Sequence, residues 1–443
     1  MSDLIKSELT NEMLQDLRKQ YASRPESSIL ERAVTQNGIN NVAKDKDVKS
    51  KLNPVFSVEV ETGKVSNQKR SGRCWLFSIL NTLKHRFAKQ YNVKDFELSQ
   101  NYLFFWDKIE RANIFYDRMI ATAGLPTNDR TVEFYLAGPG TDGGQWAMAA
   151  SLVQKYGVMP TSAFPETNVS ENTTDLNEVL NLKLRRDGMN LRNMVNNDAT
   201  DEEINNSRDK MLSEVYRIAG YTLGVPPKTF DFEYRDDKNK YHLDEKLTPK
   251  SFYAKYFSDV DLDDYVVLSN SPDKAMNKTY SMSAQNNVVG GTNIEFLNLS
   301  MPELKAATIK QLKAGETVWF GNDVTRQLSR KEGFLDADLY HYDELFDLKL
   351  SMTKAERLDY HQAEVSHAMT LTGVDLVNDQ PTKWKVENSW GEKNGVNGYF
   401  VMADNWMDEY VYEVVVNKKF LNDDQRKLLN QAPEELKPWD SLA

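Results

Sequence analysis

Helix-like patterns dominate the first half of this chain, and strand-like patterns dominate its last part. The segment at about 166–250 is polar and mostly helical in pattern, and Gly220 is the predicted C-terminal end of one of its helices. Strand-like apolar runs begin at Tyr265, Asn293 and Thr317, and the alternation is strongest from about 367 to 416. Because helices precede strands instead of alternating with them, the sequence predicts an α+β fold.

Charge and cysteine content argue against a nucleic-acid binder and against a disulfide-linked protein. The chain of 443 residues carries a net charge of −11 and has a pI near 5.2, whereas a nucleic-acid binder normally shows a basic footprint. A single cysteine rules out an intrachain disulfide and favours a reducing compartment. The polar, acidic start has no apolar signal-like stretch, and no run is long enough to span a membrane. We therefore expect a cytoplasmic protein without a membrane partner.

Shifts in composition divide the chain into five segments. The predicted segments are an N-terminal extension (1–54), a helical half that contains Cys74 (55–165), a mainly helical insertion (166–260), a β-rich half with a polar insertion near 325–362 (261–432), and a C-terminal arm (433–443).

Cys74 lies where an amphipathic helix is predicted to begin. Apolar residues follow it on one helical stripe, and Ser71-Gly72 just before it suits an N-cap and a turn. Unpaired N–H groups in the first turn of a helix favour an anion, which can lower a cysteine pKa. The sequence therefore indicates a reactive thiolate, although a lone cysteine near a helix start is more often a small core residue.

His367 and Asn388 are placed to meet across a hairpin. An apolar strand begins at His367, a turn signal follows at Asn378-Asp379, and a second strand runs to Asn388. In an antiparallel pair centred on that turn, the two side chains face each other or nearly so, about 5 Å apart. An amide at that distance can hold an imidazole in one tautomer, as a nucleophile–base–orienter triad requires.

Three short motifs together resemble papain-like cysteine peptidases. Gln68 precedes Cys74 by six residues, and the run S-G-R-C-W spans residues 71–75. The S-H-A-M run begins at residue 366, and N-S-W-G begins at residue 388. The first and second motifs are similar to the bleomycin hydrolase / aminopeptidase C family in particular. The resemblance implies a papain-like fold and a peptide substrate, with no cofactor and no metal.

The same resemblance assigns roles to further residues. The Gln68 side chain and the Cys74 backbone N–H would form the oxyanion hole. Gly143 and Gly144 match the edge along which the substrate backbone lies, where glycine permits close approach of two chains. Family resemblance also implies a homo-oligomer, a hexameric ring.

The length of the C-terminal arm determines whether the resemblance predicts an aminopeptidase or an endopeptidase. In the family the terminal carboxylate, here that of Ala443, meets the substrate ammonium and makes the enzyme an aminopeptidase. Longer arms in the family end W-D-P-M-G-A-L-A, whereas this chain ends W-D-S-L-A, three residues fewer. An endopeptidase of the same family is therefore the alternative.

Two alternative hypotheses assign the chain to other functional classes, a metallopeptidase and a nucleic-acid-binding scaffold. A metallopeptidase would use the run H-Q-A-E-V-S-H at residues 361–367, but its histidines are six apart and fall on different helix faces. A nucleic-acid-binding scaffold is the remote alternative, which the acidic charge opposes.

Overall fold

The computed structural model describes residues 8–442. Its α-helices are α1 (Asn11–Ser23), α2 (Ser27–Asn37), α3 (Ile39–Ala43), α4 (Val48–Lys51), α5 (Cys74–Tyr91), α6 (Gln100–Ala121), α7 (Arg130–Ala137), α8 (Trp146–Tyr156), α9 (Asn168–Glu171), α10 (Thr174–Asn196), α11 (Asp201–Leu223), α12 (Pro249–Tyr256), α13 (Met301–Lys313), α14 (Tyr342–Phe346), α15 (Lys354–Asp359), α16 (Asp404–Tyr410) and α17 (Asp423–Leu428).

The strands lie mostly in the second half. They are β1 (Val58–Glu59), β2 (Phe230–Arg235), β3 (Tyr241–Leu247), β4 (Tyr265–Ser269), β5 (Lys278–Ser281), β6 (Glu295–Asn298), β7 (Val318–Asn322), β8 (Leu328–Ser329), β9 (Phe334–Leu335), β10 (His367–Val377), β11 (Gln380–Glu387), β12 (Tyr399–Ala403), β13 (Val411–Asn417) and β14 (Glu434–Glu435). The helix-first, strand-later order confirms the predicted α+β class.

One large sheet organises the second half. Its strand order is β14-β5-β6-β4-β13-β7-β10-β11-β12-β9-β8, and β1 pairs with β10 from outside this path. The central strands β13, β7, β10 and β11 are antiparallel to their neighbours. One face of the sheet packs on α5, and α13 packs on the other. Strand β10 is therefore buried on both faces over most of its length.

Helix α5 joins the helical half to this sheet. Its predicted apolar stripe is fully buried, with Leu76 and Ile79 at 0% exposure and Leu83 at 1%. The Ser78 hydroxyl donates to the Met369 carbonyl at 2.7 Å, which fixes α5 against β10. Burial of these apolar side chains contributes most of the stability of the contact between α5 and the sheet.

The insertion at 166–260 is helical but contains a feature that the sequence did not reveal. Helices α10 and α11 pack on α6, and β2 and β3 form a separate two-stranded hairpin. The prediction that a helix ends at Gly220 is wrong: α11 continues to Leu223, and Gly224, with φ at 88°, caps it. A C-cap glycine adopts positive φ without strain, which Gly224 satisfies.

The hairpin of β10 and β11 has the turn that the sequence predicted. Asn378 and Asp379 have φ of 51° and 59°, and Val377 pairs with Gln380. Two consecutive residues of positive φ form a type I′ turn, whose twist matches that of the flanking strands. Among the helices of residues 8–442, none combines the length and the apolar character that a membrane crossing requires.

Candidate active site

Cys74 is the first residue of α5, and its side chain faces the sheet. The preceding residue, Arg73, is the N-cap but makes no side-chain capping bond, so the predicted capping role of Ser71 is wrong. The Ser71 hydroxyl instead donates to the Gln68 carbonyl at 2.6 Å. The Cys74 Sγ accepts a hydrogen bond from the Ala368 N–H at 3.5 Å, which brings the helix start to the residue after His367.

Burial and hydrogen bonding act on the Cys74 thiol in opposite directions. Burial raises its pKa, while the backbone N–H groups of Ala368, Trp75 and Cys74 itself act to lower it. The net shift is upward, because the thiolate loses more solvation than the donors at the helix start return. The sequence predicted that the helix start would lower the pKa of Cys74, and this prediction is wrong, because the net shift is upward.

His367 and Asn388 are joined by a hydrogen bond. The Nε2 of His367 lies 2.9 Å from the Oδ1 of Asn388, and that oxygen also accepts the Ser389 N–H at 2.8 Å. Because a backbone donor marks this atom as an oxygen, His367 must carry its proton on Nε2. Nδ1 is thereby left as the nitrogen with a free lone pair.

The register of the hairpin is not quite the one predicted. Thr370 pairs with Glu387, so Asn388 is offset by two residues from the position directly opposite His367. The side chains meet because Asn388 follows the end of β11 and His367 begins β10. Burial lowers the pKa of His367, and the hydrogen bond to Asn388 raises it. The effect of burial is the larger, and the pKa is about 4.

Trp390 covers the imidazole, a role that the sequence did not suggest. Its ring centroid lies 4.9 Å from that of His367, and the Arg330 guanidinium lies 4.3 Å from the indole ring on which it stacks. An aromatic cover excludes water from the His367–Asn388 bond and fixes the ring plane. The tryptophan of the N-S-W-G motif is the sequence feature from which this contact could have been predicted.

Gln68 is held by the residue that follows Asn388. The Ser389 hydroxyl donates to the Gln68 Oε1 at 2.5 Å, and the Gln68 Nε2 donates to the Ser71 carbonyl at 2.5 Å. These partners fix which end of the amide is the donor. One N–H of Nε2 points to Ser71, and the second remains for another acceptor. Ser389 thus links Gln68 to Asn388.

A buried ion pair fixes the glycine-rich loop at residues 138–144, which contains Gly143 and Gly144, to the turn before Cys74. The Lys108 Nζ lies 2.9 Å from the Asp142 Oδ1, and the Asp142 Oδ2 accepts the Gly72 N–H at 2.9 Å. Burial alone would raise the pKa of Asp142, but the Lys108 ammonium, with Thr173 and Gly72, lowers it to about 2. The loop is thereby pinned to the turn before Cys74.

The two glycines predicted as a substrate edge differ in their availability. The Gly143 N–H donates to the Gly72 carbonyl at 2.9 Å, and the Gly143 carbonyl accepts from Arg111. A Cβ at Gly144 would lie 2.7 Å from the Trp75 ring, so only glycine fits there. Both glycines line a cleft of about 680 Å³. Within residues 8–442 the Gly144 backbone makes no hydrogen bond, whereas both backbone groups of Gly143 do.

Two further predictions from the sequence concern the C-terminal arm and the H-Q-A-E-V-S-H run. Ala443 lies outside the described residues. The arm before it is anchored, because the Asp440 carboxylate pairs with Lys274 at 2.9 Å and Leu442 is 1% exposed. The H-Q-A-E-V-S-H run is not a helix, since α15 ends at Asp359 and β10 begins at His367. Within residues 8–442, no group of three or more potential metal ligands is found.

Known proteins resemble this chain over nearly its whole length. "Aminopeptidase G" of Lactobacillus delbrueckii subsp. lactis is 51% identical over 437 residues, 98% of this chain and 99% of that protein. "Aminopeptidase E" of Lactobacillus helveticus is 50% identical over 436 residues, with the same two shares. A crystal structure of pepw from Lactobacillus rhamnosis superposes with a TM-score of 0.97 at 49% identity, covering 98% of this chain and 99% of that one.

The family comparison agrees with these relatives. The model of the Peptidase C1-like family matches residues 8–443. The expected papain-like α+β fold and the expected cysteine peptidase class are therefore confirmed, and this chain belongs to the Peptidase C1-like family.

Proposed function

We propose that the chain is a thiol aminopeptidase in which Cys74 is the nucleophile, His367 the acid and base, and Asn388 the residue that orients the imidazole. The observation that carries the proposal is the contact of the Cys74 Sγ with the Ala368 N–H, at the start of the strand whose His367 is bonded to Asn388 at 2.9 Å. Sequence relatives named as aminopeptidases support the substrate class.

Acylation begins with proton transfer from Cys74 to the free Nδ1 of His367. Burial raises the pKa of Cys74 and lowers the pKa of His367, so each group taken alone is neutral. The thiolate and the imidazolium therefore form together, as an ion pair. The thiolate attacks the scissile carbonyl carbon, and the carbonyl oxygen becomes an oxyanion. The second N–H of Gln68 and the Cys74 N–H are its donors. His367 then protonates the leaving amine, and a thioester remains on Cys74.

Deacylation repeats the cycle with water. His367, again neutral, takes a proton from water, and the hydroxide attacks the thioester carbonyl. The same two donors stabilise the second oxyanion. Collapse expels the Cys74 thiolate, which regains its proton from His367, and releases the carboxylic acid. Asn388 keeps Nδ1 directed to the reaction through both halves.

The arm restricts the substrate to a free amino terminus. It runs along the rim of the cleft: the Glu435 carboxylate accepts the Ser283 N–H at 2.9 Å, and the Trp439 ring lies 4.1 Å from the Arg130 guanidinium. Ser283 immediately precedes cleft residues, and Arg130 begins α7, whose Phe134 and Tyr135 line the same cleft. The Ala443 carboxylate, one residue beyond buried Leu442, would meet the substrate ammonium through a charge-assisted hydrogen bond.

An endopeptidase is the second possibility, because the arm is three residues shorter than the longer arms of the family.

Two further properties, the compartment and the oligomeric state, extend the proposal. A single cysteine suits a reducing cytoplasm. A homohexamer is compatible with α1, on which no residue is buried and which exposes Met13, Leu17 and Tyr21. Light scattering of the purified chain measures the oligomeric state.

Hydrolysis of paired peptides tests the proposed substrate class. The native chain is given one peptide with a free amino terminus and the same peptide acetylated. The proposal expects turnover of the free peptide, release of its first residue, and little turnover of the acetylated one. Cleavage of both at internal bonds would replace the aminopeptidase with the endopeptidase and leave the thiol mechanism intact.

A further inference from the structure

Two arginines of α6 line the cleft that contains Gly143 and Gly144, and they differ in their ion pairs. Arg111 pairs with the Asp107 carboxylate at 2.7 Å and donates a hydrogen bond to the Gly143 carbonyl. Arg118 lies about two turns further along the helix. Within residues 8–442, no carboxylate lies within ion-pair distance of its guanidinium. Arg118 is therefore the cation of this cleft whose charge the described chain leaves unpaired.

The Arg118 guanidinium is nevertheless held in one place. Its Nη2 group donates a hydrogen bond to the Asn286 carbonyl at 2.7 Å, and its Cζ atom lies 5.0 Å from the centroid of the Tyr135 ring. Such a cation–π contact fixes the guanidinium without neutralising it. Nε and Nη1 make no hydrogen bond within residues 8–442, and neither is fully enclosed by protein. These N–H groups therefore remain for a ligand in the cleft.

Acidic side chains near Arg118 are bound to other groups. Asp117 pairs with Arg208 at 2.8 Å. The Glu435 carboxylate of the arm accepts hydrogen bonds from the N–H and the hydroxyl of Ser283, at 2.9 Å and 2.5 Å. Burial lowers the pKa of Arg118, and Asp117 opposes this effect only in part. A cation that loses water without gaining a counter-ion is costly, and an anionic ligand would offset that cost.

The walls beside Arg118 suit an acidic side chain of a peptide. Phe115 and Phe134 line the same cleft and provide apolar surface for methylene groups. The carboxylates of the cleft do not occupy the position, because a buried lysine engages Asp142 at 2.9 Å and Glu364 is exposed. A fixed guanidinium next to an apolar wall therefore matches a side chain that ends in a carboxylate.

We propose that Arg118 binds a carboxylate of the peptide substrate, so that the chain favours peptides with a glutamate or an aspartate beside the bond that is cut. The same cleft contains Gly144, whose backbone makes no hydrogen bond within residues 8–442 and is the proposed contact for the substrate backbone. A hydrogen bond between charged groups is about twice as strong as one between neutral groups. The proposal rests on the proposed peptidase function and adds a specificity-determining residue to it.

Matched substrate pairs show whether the carboxylate is bound and where it lies. Glutamyl and glutaminyl coumarylamides differ in the charge of the residue before the bond. Leucyl-glutamyl-alanine and leucyl-glutaminyl-alanine differ in the residue after it. The ratio of kcat/KM, acidic member over amide member, is measured in each pair for the native chain and for Arg118→Gln. If the chain cuts only blocked peptides, acetyl-leucyl-glutamyl and acetyl-leucyl-glutaminyl coumarylamides replace the first pair.

We expect Arg118→Gln to lower one ratio by about 10-fold, the lower end of the range for a hydrogen bond to a charged group. A fall in the first ratio places the carboxylate before the bond, and a fall in the second places it after the bond. Turnover of the amide member should change little. The control Arg186→Gln removes an exposed arginine of α10 and should leave both ratios unchanged.

Two further variants keep the test decisive if Arg118→Gln folds poorly, which thermal unfolding would report. Arg118→Met keeps an apolar stem and removes the charge, and Tyr135→Leu removes the ring on which the guanidinium lies. Both should lower the same ratio. Unchanged ratios in the folded variants overturn the proposal.

A second source of the same chemistry is the terminal carboxylate of Ala443. If Arg118 held that group, Arg118→Gln would raise the turnover of acetylated peptides and leave both ratios unchanged, which would also overturn the proposal. Absence of all thiol-dependent turnover in the native chain would instead overturn the peptidase function.

Discussion

The Glu387 Oε2 lies 2.8 Å from the Nε2 of His85, so the residue before Asn388 is tied to the helix that begins at Cys74. The Lys84 Nζ also contacts this carboxylate, at 3.3 Å, and Glu387 is 1% exposed. The three side chains connect α5, which carries the nucleophile, to β11, which leads into the orienting amide. The helix that carries Cys74 and the strand that leads to Asn388 are thus joined by buried charged side chains as well as by the contacts at the site itself.

Removal of Glu387 is predicted to destabilise the fold strongly. Glu387→Ala leaves the buried Lys84 ammonium without its carboxylate partner, an arrangement that typically costs about 3–5 kcal/mol. The free energy of unfolding, measured by urea titration, should fall by that order. The exposed Glu392 is a matched control, and Glu392→Ala should change it by less than about 0.5 kcal/mol. A Glu387→Ala variant as stable as the native chain would show that the cluster is not a structural link.

Acidification below about pH 6.5 is predicted to make the contribution of His367 to the stability of the fold less favourable. Burial lowers the pKa of His367 to about 4 and also lowers that of His85. Between pH 6.5 and about pH 4 the unfolded chain binds a proton at His367 that the folded chain does not, so the contribution of His367 to stability falls as the pH falls. Glu413, whose pKa burial raises to about 7, contributes in the opposite direction. For His367 alone the loss reaches about 3 kcal/mol at pH 4.

Urea titrations at several pH values measure this dependence. The variant His367→Gln removes one of the two imidazoles, so its stability should fall less steeply between pH 6.5 and pH 4 than that of the native chain. Identical slopes would contradict the assignment of a neutral, buried His367 in the folded state.

Gln68→Ala is predicted to lower kcat by about 10²–10³-fold, the cost of one oxyanion donor. Because the donor acts on charge that develops only in the transition state, KM should change little. Steady-state kinetics on one free-amine peptide provide both constants. An effect confined to KM would assign Gln68 to substrate binding instead.

Truncation of the arm is predicted to change specificity without changing the chemistry. Deletion of residues 441–443 moves the terminal carboxylate back by three residues, to Asp440, and removes the anchor that Ser441 forms with Lys274 at 2.9 Å. Acetylated peptides should then become substrates, and the preference for a free amine should fall. Thiol labelling should be unchanged. Equal cleavage of free and acetylated peptides before and after truncation would refute the role of the arm.

Local patterns were sufficient to predict the elements that carry the site. The helix that begins at Cys74, the turn at Asn378-Asp379 and the closeness of His367 to Asn388 all follow from short-range periodicity and motif spacing. The triad roles remain predictions until they are measured.

Contacts between distant segments could not be predicted in this way. No local pattern connects His85 with Glu387, because the two residues meet only after α5 docks on the sheet. The upward pKa shift of Cys74 depends on burial by both halves, which a helix start alone does not reveal.

The most direct test of the account is the hydrolytic rate of Cys74→Ser. The chain has one cysteine, so iodoacetamide labelling of the native protein reports this residue alone. The variant should fold with the native circular dichroism spectrum, take up no label, and show no peptide hydrolysis above background. Substantial turnover by the folded variant would contradict the cysteine peptidase mechanism.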